Sequence, residues 1–174
     1  MSKLTAAMMT AGLALAGTAV YAQGINDAQI AAIVVTANQV DVDAGKLAGQ
    51  RADHAEVKKF AEQMVRDHEG VNKQAIALAT RLALTPQENG TSKSLKAGGD
   101  KNLARLRTLS GPAFDTAYVD HEIAYHAQVL EALDKTLVPG ASNAELKALL
   151  VKVRPAFVAH LEHAKHLKAS LGGE

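Results

Sequence analysis

The sequence predicts an all-α protein: an antiparallel four-helix bundle with an additional short helix in a long central connection. Three observations support this fold class. Apolar residues recur with the helical period along nearly the whole chain, and residue pairs typical of helix capping boxes precede three of the apolar stripes. Alanine and leucine are abundant, and aromatic residues make up only 3% of the chain. No hairpin signal or internal repeat interrupts this pattern.

The first helix is predicted from about Asn26 to Ala48. Asn26 and Gln29 have the spacing of a capping box, in which each side chain accepts a hydrogen bond from the other residue's backbone N–H. One face of this helix is apolar at about 100° per residue, and it is formed by Ile30, Ile33, Ala37, Val40, Ala44 and Ala48. A short break is expected at residues 49–53.

A second helix is predicted to begin at a capping box of Asp53 and Glu56 and to continue to about Leu84. The polar, glycine-containing segment 85–99 is expected to be a connection, followed by a short helix after Asp100. Since this connection is longer than the others, it allows the chain to cross the bundle.

The third long helix is predicted over Pro112–Leu137, because proline suits a first helical turn. The fourth is predicted to begin at a capping box of Ser142 and Glu145, to reach about Leu171, and to kink at Pro155. The short first and third breaks favour antiparallel neighbours. Together with a crossover at the second connection, they predict a ferritin-like layout.

Residues 1–22 have the pattern of a secretory signal peptide. Lys3 supplies the positive start, Leu4–Val20 is apolar or small, and the small-x-small sequence ending at Ala22 suits cleavage. The alternative is a transmembrane anchor, but the run is short, rich in Gly and Ala, and lacks a charged stop. We therefore expect cleavage, leaving residues 23–174 as a single helical-bundle domain in the periplasm or secreted.

The composition narrows the classes of partner. The chain has no cysteine, which excludes a lipoprotein anchor and disulfides. Its 19 basic and 18 acidic side chains nearly balance, whereas nucleic-acid binding needs a net basic face. The same balance gives no electrostatic case for binding anionic lipid. We expect no nucleic-acid partner and no membrane span in the mature chain.

The candidate site consists of polar residues on helix faces that should be buried. His68, His126 and His160 belong to the second, third and fourth long helices, and Asp41 borders the stripe of the first. Glu122 lies one turn before His126 on the same face. Mixed His and carboxylate sets inside a bundle are typical of metal sites. The pattern equally suits a structural polar network that fixes helix register.

The sequence lacks the motifs of several classes of enzyme. A di-iron oxidase needs Glu-x-x-His pairs, and this sequence has none, which disfavours a ferritin-type redox enzyme. The segment HEIAYH, ending at His126, has its histidines five residues apart, not four, so it is no zinc-protease motif. His163 and His166 are expected at the border and in solvent, where surface metal binding is an alternative to plain solvation.

Four segments carry a resemblance to a known family: DVDAGKLAGQRA, VKKFAEQMVRDHEGVNKQ, FDTAYVDHEIAYHAQVLEAL and VRPAFVAHLEHAK. They resemble a large uncharacterised family of exported bacterial proteins often labelled "predicted outer membrane protein", which is grouped with ferritin-like folds. The resemblance covers about residues 27–167. Its most specific parts are Met-Val-x-Asp-His ending at His68, Phe-Asp-x-x-Tyr from Phe114, and the last-helix His160. His126 and Asp41 also match.

The resemblance implies a ferritin-like fold and a cell-envelope location, but no established reaction. Glu122 departs from the amide or apolar residue more usual in that family, so a ligand role for it would be specific to this chain. Two functions remain open. One is a periplasmic protein that binds zinc, copper or iron in metal or oxidative stress. The other is a non-catalytic structural or interaction module whose buried histidines only specify the fold.

Overall fold

The computed structural model describes residues 24–172, and the secondary structure within them is helical throughout. Five helices follow one another: α1 Asp27–Arg51, α2 Ala55–Arg81, α3 Gly90–Arg107, α4 Gly111–Ala132 and α5 Ala144–Leu171. A π-helical turn, Leu133–Leu137, and a last helical turn, Val138–Gly140, extend α4. The predicted all-α helical bundle is thus confirmed for this part of the chain. The predicted signal peptide lies outside the described residues.

Hydrogen bonds at the helix ends show in which direction the helices run. The Asn89 side chain donates to Gln29 O near the start of α1, and Arg51, at the end of α1, donates to Arg107 O. The helix α3 therefore lies along α1 and runs parallel to it. It returns the chain to the end of the bundle where α2 began, and α4 then starts there.

Two carboxylates join the ends of neighbouring helices. Asp115 of α4 accepts hydrogen bonds from the backbone N–H groups of Asp53 and His54, at 3.2 and 2.8 Å. Asp27 of α1 accepts from Ser142 N and from the next residue, just before α5. Consequently α1 and α5 run in one direction, and α2 and α4 in the other.

The core consists of two apolar clusters, one toward each end of the bundle. The first includes Ile30, Ile33, Val129, Leu133, Leu146, Leu150 and Phe157. The second includes Ala48, Val57, Phe60, Met64, Leu106, Phe114 and Leu167. Between them along the helices lies a layer of buried polar side chains, among them Asp41, His68, Glu122, His126 and His160. The polar candidate residues therefore occupy the middle of the bundle.

Helix α3, which was predicted as a short helix after Asp100, is longer than predicted. It begins ten residues earlier, at Gly90, where Asn89 and Ser92 form a capping box. Gly99 lies against α1, where an added Cβ would be only 2.8 Å from a Val40 methyl group. The polar and glycine residues of segment 85–99, which suggested a loop, instead cap the start of α3 and allow it to pack closely on α1.

Two predicted caps were wrong by one residue. His54 caps α2, with its Nδ1 accepting from Glu56 N, because the backbone of Asp53 is held by Asp115. Asn143, not Ser142, caps α5. The capping box of α1 is confirmed.

Other predicted boundaries differ by a few residues. The first helix continues to Arg51, and the second ends at Arg81, short of Leu84. The last helix is continuous through Pro155. Within residues 24–172, each helix is too short or too polar to cross a membrane.

Candidate metal centre

The structure brings the five predicted site residues together. Asp41 lies on α1, His68 on α2, Glu122 and His126 on α4, and His160 on α5. The exposed fraction of each is 3% or less. The apolar residues on the same helix faces determine these positions, because burying the stripes of four helices turns the polar side chains toward one interior region.

The three histidines form a compact triangle. Their ring centroids are 5.5 Å apart for His68 and His126, 5.3 Å for His68 and His160, and 5.4 Å for His126 and His160. One ring nitrogen from each lies within 4.8 Å of the others. Phe157 closes one side, with its ring 5.1 Å from that of His68.

The Nδ1 atom of His68 is fixed by Asn38. It lies 2.8 Å from the Asn38 Oδ1, while the Asn38 Nδ2 donates to Val34 O at 2.8 Å. Because that second bond uses the amide nitrogen, the amide oxygen faces the ring, and His68 Nδ1 must be the donor. The lone pair of a neutral His68 is then on Nε2.

The backbone of α4 fixes His126 in the same way. His126 Nδ1 donates to Glu122 O, one turn earlier, at 3.0 Å, and the Glu122 carboxylate lies 3.4 Å from the same nitrogen. Both neighbours of Nδ1 are oxygen acceptors. The lone pair of a neutral His126 is therefore on Nε2 as well.

His160 uses the opposite nitrogen. Its Nε2 donates to the Asp67 carboxylate at 2.9 Å, and its lone pair is left on Nδ1. Asp67 is itself half-exposed at 42%, whereas His160 is buried. This bond therefore joins the inner histidines to the protein surface.

The second nitrogen of each ring has no hydrogen-bond partner among the described residues. These atoms are His68 Nε2, His126 Nε2 and His160 Nδ1, and all three are buried. A buried imidazole nitrogen without a partner is costly. Three in one triangle, each opposite a satisfied N–H donor, form a set of lone pairs suited to a cation.

The environment keeps the three rings neutral. Burial is the main cause that lowers the pKa of His68, and positive charge on His126 or His160 would lower it further. Burial also lowers the pKa of His126 to about 4. The pKa of His160 is lowered by burial as well, although the Asp67 carboxylate opposes that shift. Neutral imidazole is the form that binds metals.

The two carboxyl groups lie beside this triangle. Asp41 Oδ2 is 3.5 Å from His68 Nε2, and Asp41, Glu122 and His126 each offer one atom within 4.8 Å of the others. Burial raises the pKa of Asp41, and the neighbouring Glu122 charge raises it further. Burial raises the pKa of Glu122 too. Without a cation, the pair is therefore most stable when it holds a proton.

One family profile, described as "Domain of unknown function (DUF4142)", matches residues 12–167, which is most of the chain. The chain belongs to this family. No curated protein and no solved structure gave a significant match.

Sequence reasoning missed three members of the layer in this DUF4142 chain. Asp67 and Asn38 orient two of the histidines, and the buried Tyr118 hydroxyl has no partner among the described residues. Asp67 belongs to the Met-Val-x-Asp-His run, and Asn38 lies one turn before Asp41. The sequence does not reveal, however, which histidine each of them contacts in the folded chain.

The remaining histidines lie outside the triangle. His163 and His166 are both exposed, and His163 packs edge-on against Phe60. His54 caps α2, and His121 is half-buried and stacks on Tyr125. His163 is therefore exposed but in contact with the buried Phe60, which agrees with its predicted border position, and His166 is exposed as predicted.

Proposed function

We propose that this chain is a protein that binds one transition metal ion through His68, His126 and His160. The observation that carries the proposal is the arrangement of their ring nitrogens. One nitrogen of each ring is buried without a partner among the described residues, and the other donates to an oxygen. One ring nitrogen of each histidine also lies within 4.8 Å of the other two. Histidines that bind metals are commonly held in this way by a second hydrogen bond.

The donor set favours zinc, copper or iron. Neutral imidazole suits these ions, whereas magnesium and calcium prefer oxygen ligands. Asp41 is the nearest candidate for a fourth ligand, because its Oδ2 is 3.5 Å from His68 Nε2. Glu122 lies nearer to His126 Nδ1 and would orient that ring.

The shared histidine favours a single ion. His126 belongs both to the three-histidine group and to the group with Asp41 and Glu122. Since its Nδ1 donates to Glu122 O, only Nε2 retains a lone pair. The carboxyl pair would therefore balance the charge of the bound ion and not hold a second one.

We also propose a ferritin-like fold and an exported location for this protein. The parallel course of α1 and α3, with α2 and α4 starting at the same end, supports a ferritin-like four-helix bundle with a crossover connection. The signal pattern of residues 1–22 supports export, with residues 23–174 forming the mature domain. A periplasmic or secreted metal-binding bundle would act in metal handling or oxidative stress.

The second candidate is a structural module whose polar layer only fixes the packing of the helices. The carboxyl pair favours it, because Asp41 and Glu122 have raised pKa values and can keep a proton between them with no metal present. Such a layer would specify helix register without binding anything.

Elemental analysis of untagged protein tests the two candidates. We expect one equivalent of zinc, copper or ferrous iron to be retained, and to be lost in His126→Gln, because that change removes one of the three unpaired ring nitrogens. His166→Gln is the matched control, since it removes an exposed histidine. If the wild-type protein takes up none of the three ions in titration, the structural candidate is correct.

Sequencing the N-terminus of protein taken from the cell envelope tests export. We expect it to begin at Gln23, because the small residues before it suit signal peptidase. An intact Met1 in a membrane-bound form would indicate an anchor.

A further inference from the structure

A groove on the surface between α2 and α5 reaches the histidine triangle. Its volume is about 430 Å³, and the buried side chains of His68 and His160 form part of its wall. Asp67 and Gly70 lie on its α2 side, and Lys152 on its α5 side. The groove therefore reaches two of the three histidines whose unpaired ring nitrogens are buried.

Asp67 connects this groove to the site. Its carboxylate is 42% exposed, yet it accepts the His160 Nε2–H at 2.9 Å and a weaker bond from Gln63 at 3.3 Å. It is the only acidic residue in the groove wall, which also carries Arg66 and Lys152. Lys152 is engaged by Gln74 at 3.1 Å. Among the described residues that line the groove, Asp67 therefore supplies the negative charge.

We propose that the metal ion reaches the histidine triangle through this groove, and that Asp67 is the group that receives it. The inference rests on the proposed metal function. The Asp67 carboxylate replaces part of the ion's hydration shell and releases the His160 N–H. His160 is then free to turn its ring and pass the ion inward, where His68 and His126 complete the coordination.

Gly70 offers a way to close the groove without touching a ligand. A Cβ added at Gly70 meets no atom within 4 Å, so a larger side chain has room there. Leucine is also a better helix former than glycine, and the substitution should not unfold α2. Gly49 of α1 is the matched control, because it too lies in a helix with open space at its Cβ and is outside the groove.

The first experiment mixes metal-free protein with cobalt(II) and follows the visible absorption of the bound ion. We expect Gly70→Leu to slow uptake on the order of tenfold, since binding that needs a conformational opening is slow. Its final spectrum and affinity should equal the wild type's, because the ligands are unchanged. Gly49→Leu should take up cobalt at the wild-type rate.

The second experiment tests Asp67. Asp67→Asn keeps an oxygen acceptor for His160 but removes the charge, and we expect roughly tenfold slower uptake, as for other losses of electrostatic attraction. Asp67→Glu should restore the rate. Asp43→Asn is the matched control, because Asp43 is an aspartate on α1 with a glutamine bond from one turn earlier, like Asp67.

The outcomes separate the two proposals. If the wild-type protein binds no cobalt, zinc or copper at equilibrium, the metal function and the route both fail. If it binds metal but Gly70→Leu and Asp67→Asn load at the wild-type rate, the route alone is overturned. Slow uptake in both controls would show a general effect on the fold and would also overturn it. Circular dichroism of each variant verifies that it is folded.

Discussion

At the scale of single residues, the chemistry of the polar layer depends on which side-chain atoms have hydrogen-bond partners. Each of the three histidines has one ring nitrogen bonded to an oxygen and one left free. The oxygens come from an amide, a backbone carbonyl and a carboxylate, so the three rings are oriented independently. A change at one ring should therefore disturb its own partner most directly.

His68→Ala should destabilise the protein far more than His166→Ala. The first change leaves a cavity and an unpaired Asn38 oxygen at a site that is 1% exposed, which costs on the order of 1–3 kcal/mol. The second removes an exposed side chain, where changes usually stay within about 0.5 kcal/mol. Urea denaturation of metal-free protein measures both. Equal losses would contradict the assigned positions of the rings.

Glu122→Gln should stabilise the metal-free protein in alkaline solution. Burial raises the pKa of Glu122 to about 8, above its value in the unfolded chain. The folded state therefore holds the proton more tightly, and this contribution to stability is lost as the pH rises through about 8. Glutamine carries no charge to bury. We expect the variant's advantage in denaturant to be larger at pH 9 than at pH 5.

Glu62→Gln is the control for that experiment, because Glu62 is exposed on α2. It should show no comparable gain between the two pH values. A Glu122→Gln protein that loses stability at pH 9 would mean that the carboxylate makes a favourable charged contact, contrary to the raised pKa.

At the scale of elements, small residues decide how closely the helices approach. Gly45 of α1 lies against α2, where an added Cβ would be 2.9 Å from Ala61 O. Gly99 of α3 lies as close to Val40 of α1. A β-branched side chain such as Val40 has few rotamers in a helix and cannot move aside easily. Both contacts therefore need glycine.

Gly98 and Gly99 form a natural pair of test positions. Gly99→Ala should destabilise the protein by about 1–3 kcal/mol, because the new methyl group overlaps Val40 and pushes α3 away from α1. Gly98→Ala should stabilise it by up to about 1 kcal/mol, because its Cβ meets nothing within 4 Å and alanine favours helix. Thermal unfolding measures both. Two changes of the same sign would contradict this packing.

The helices themselves could be predicted from the sequence more readily than their ends. Periodic apolar residues are a local signal, and they placed α1, α2, α4 and α5. The start of α2 could not be predicted correctly, because Asp115, 62 residues away, holds the Asp53 backbone. Likewise, Gly98 and Gly99 look like a loop until the approach of α1 is known.

At the scale of the whole molecule, the polar layer divides the core into two apolar clusters. The candidate residues could be predicted because burying four stripes brings them together. Their roles could not, because Asp67 becomes a partner of His160 only when α5 packs beside α2. The protonation of the carboxyl pair depends equally on the meeting of α1 and α4.

A metal ion bound at this layer would join α2, α4 and α5 through their histidines, and so should stabilise the whole bundle. Zinc at 100 times its dissociation constant should raise the free energy of unfolding by about 2.7 kcal/mol, since the unfolded chain has no formed site. The gain should shrink in acid, because protons compete for the ligands. Urea denaturation with and without zinc measures it.

The same measurement on two variants of α5 separates the buried site from the surface. His160→Gln should lose the zinc-dependent gain, because it removes one of the three buried, unpaired ring nitrogens. His163→Gln should keep it, because His163 is exposed and lies outside the triangle. A gain that survives in His160→Gln but disappears in His163→Gln would place the zinc on the outer face of α5 and leave the buried histidines as structural side chains.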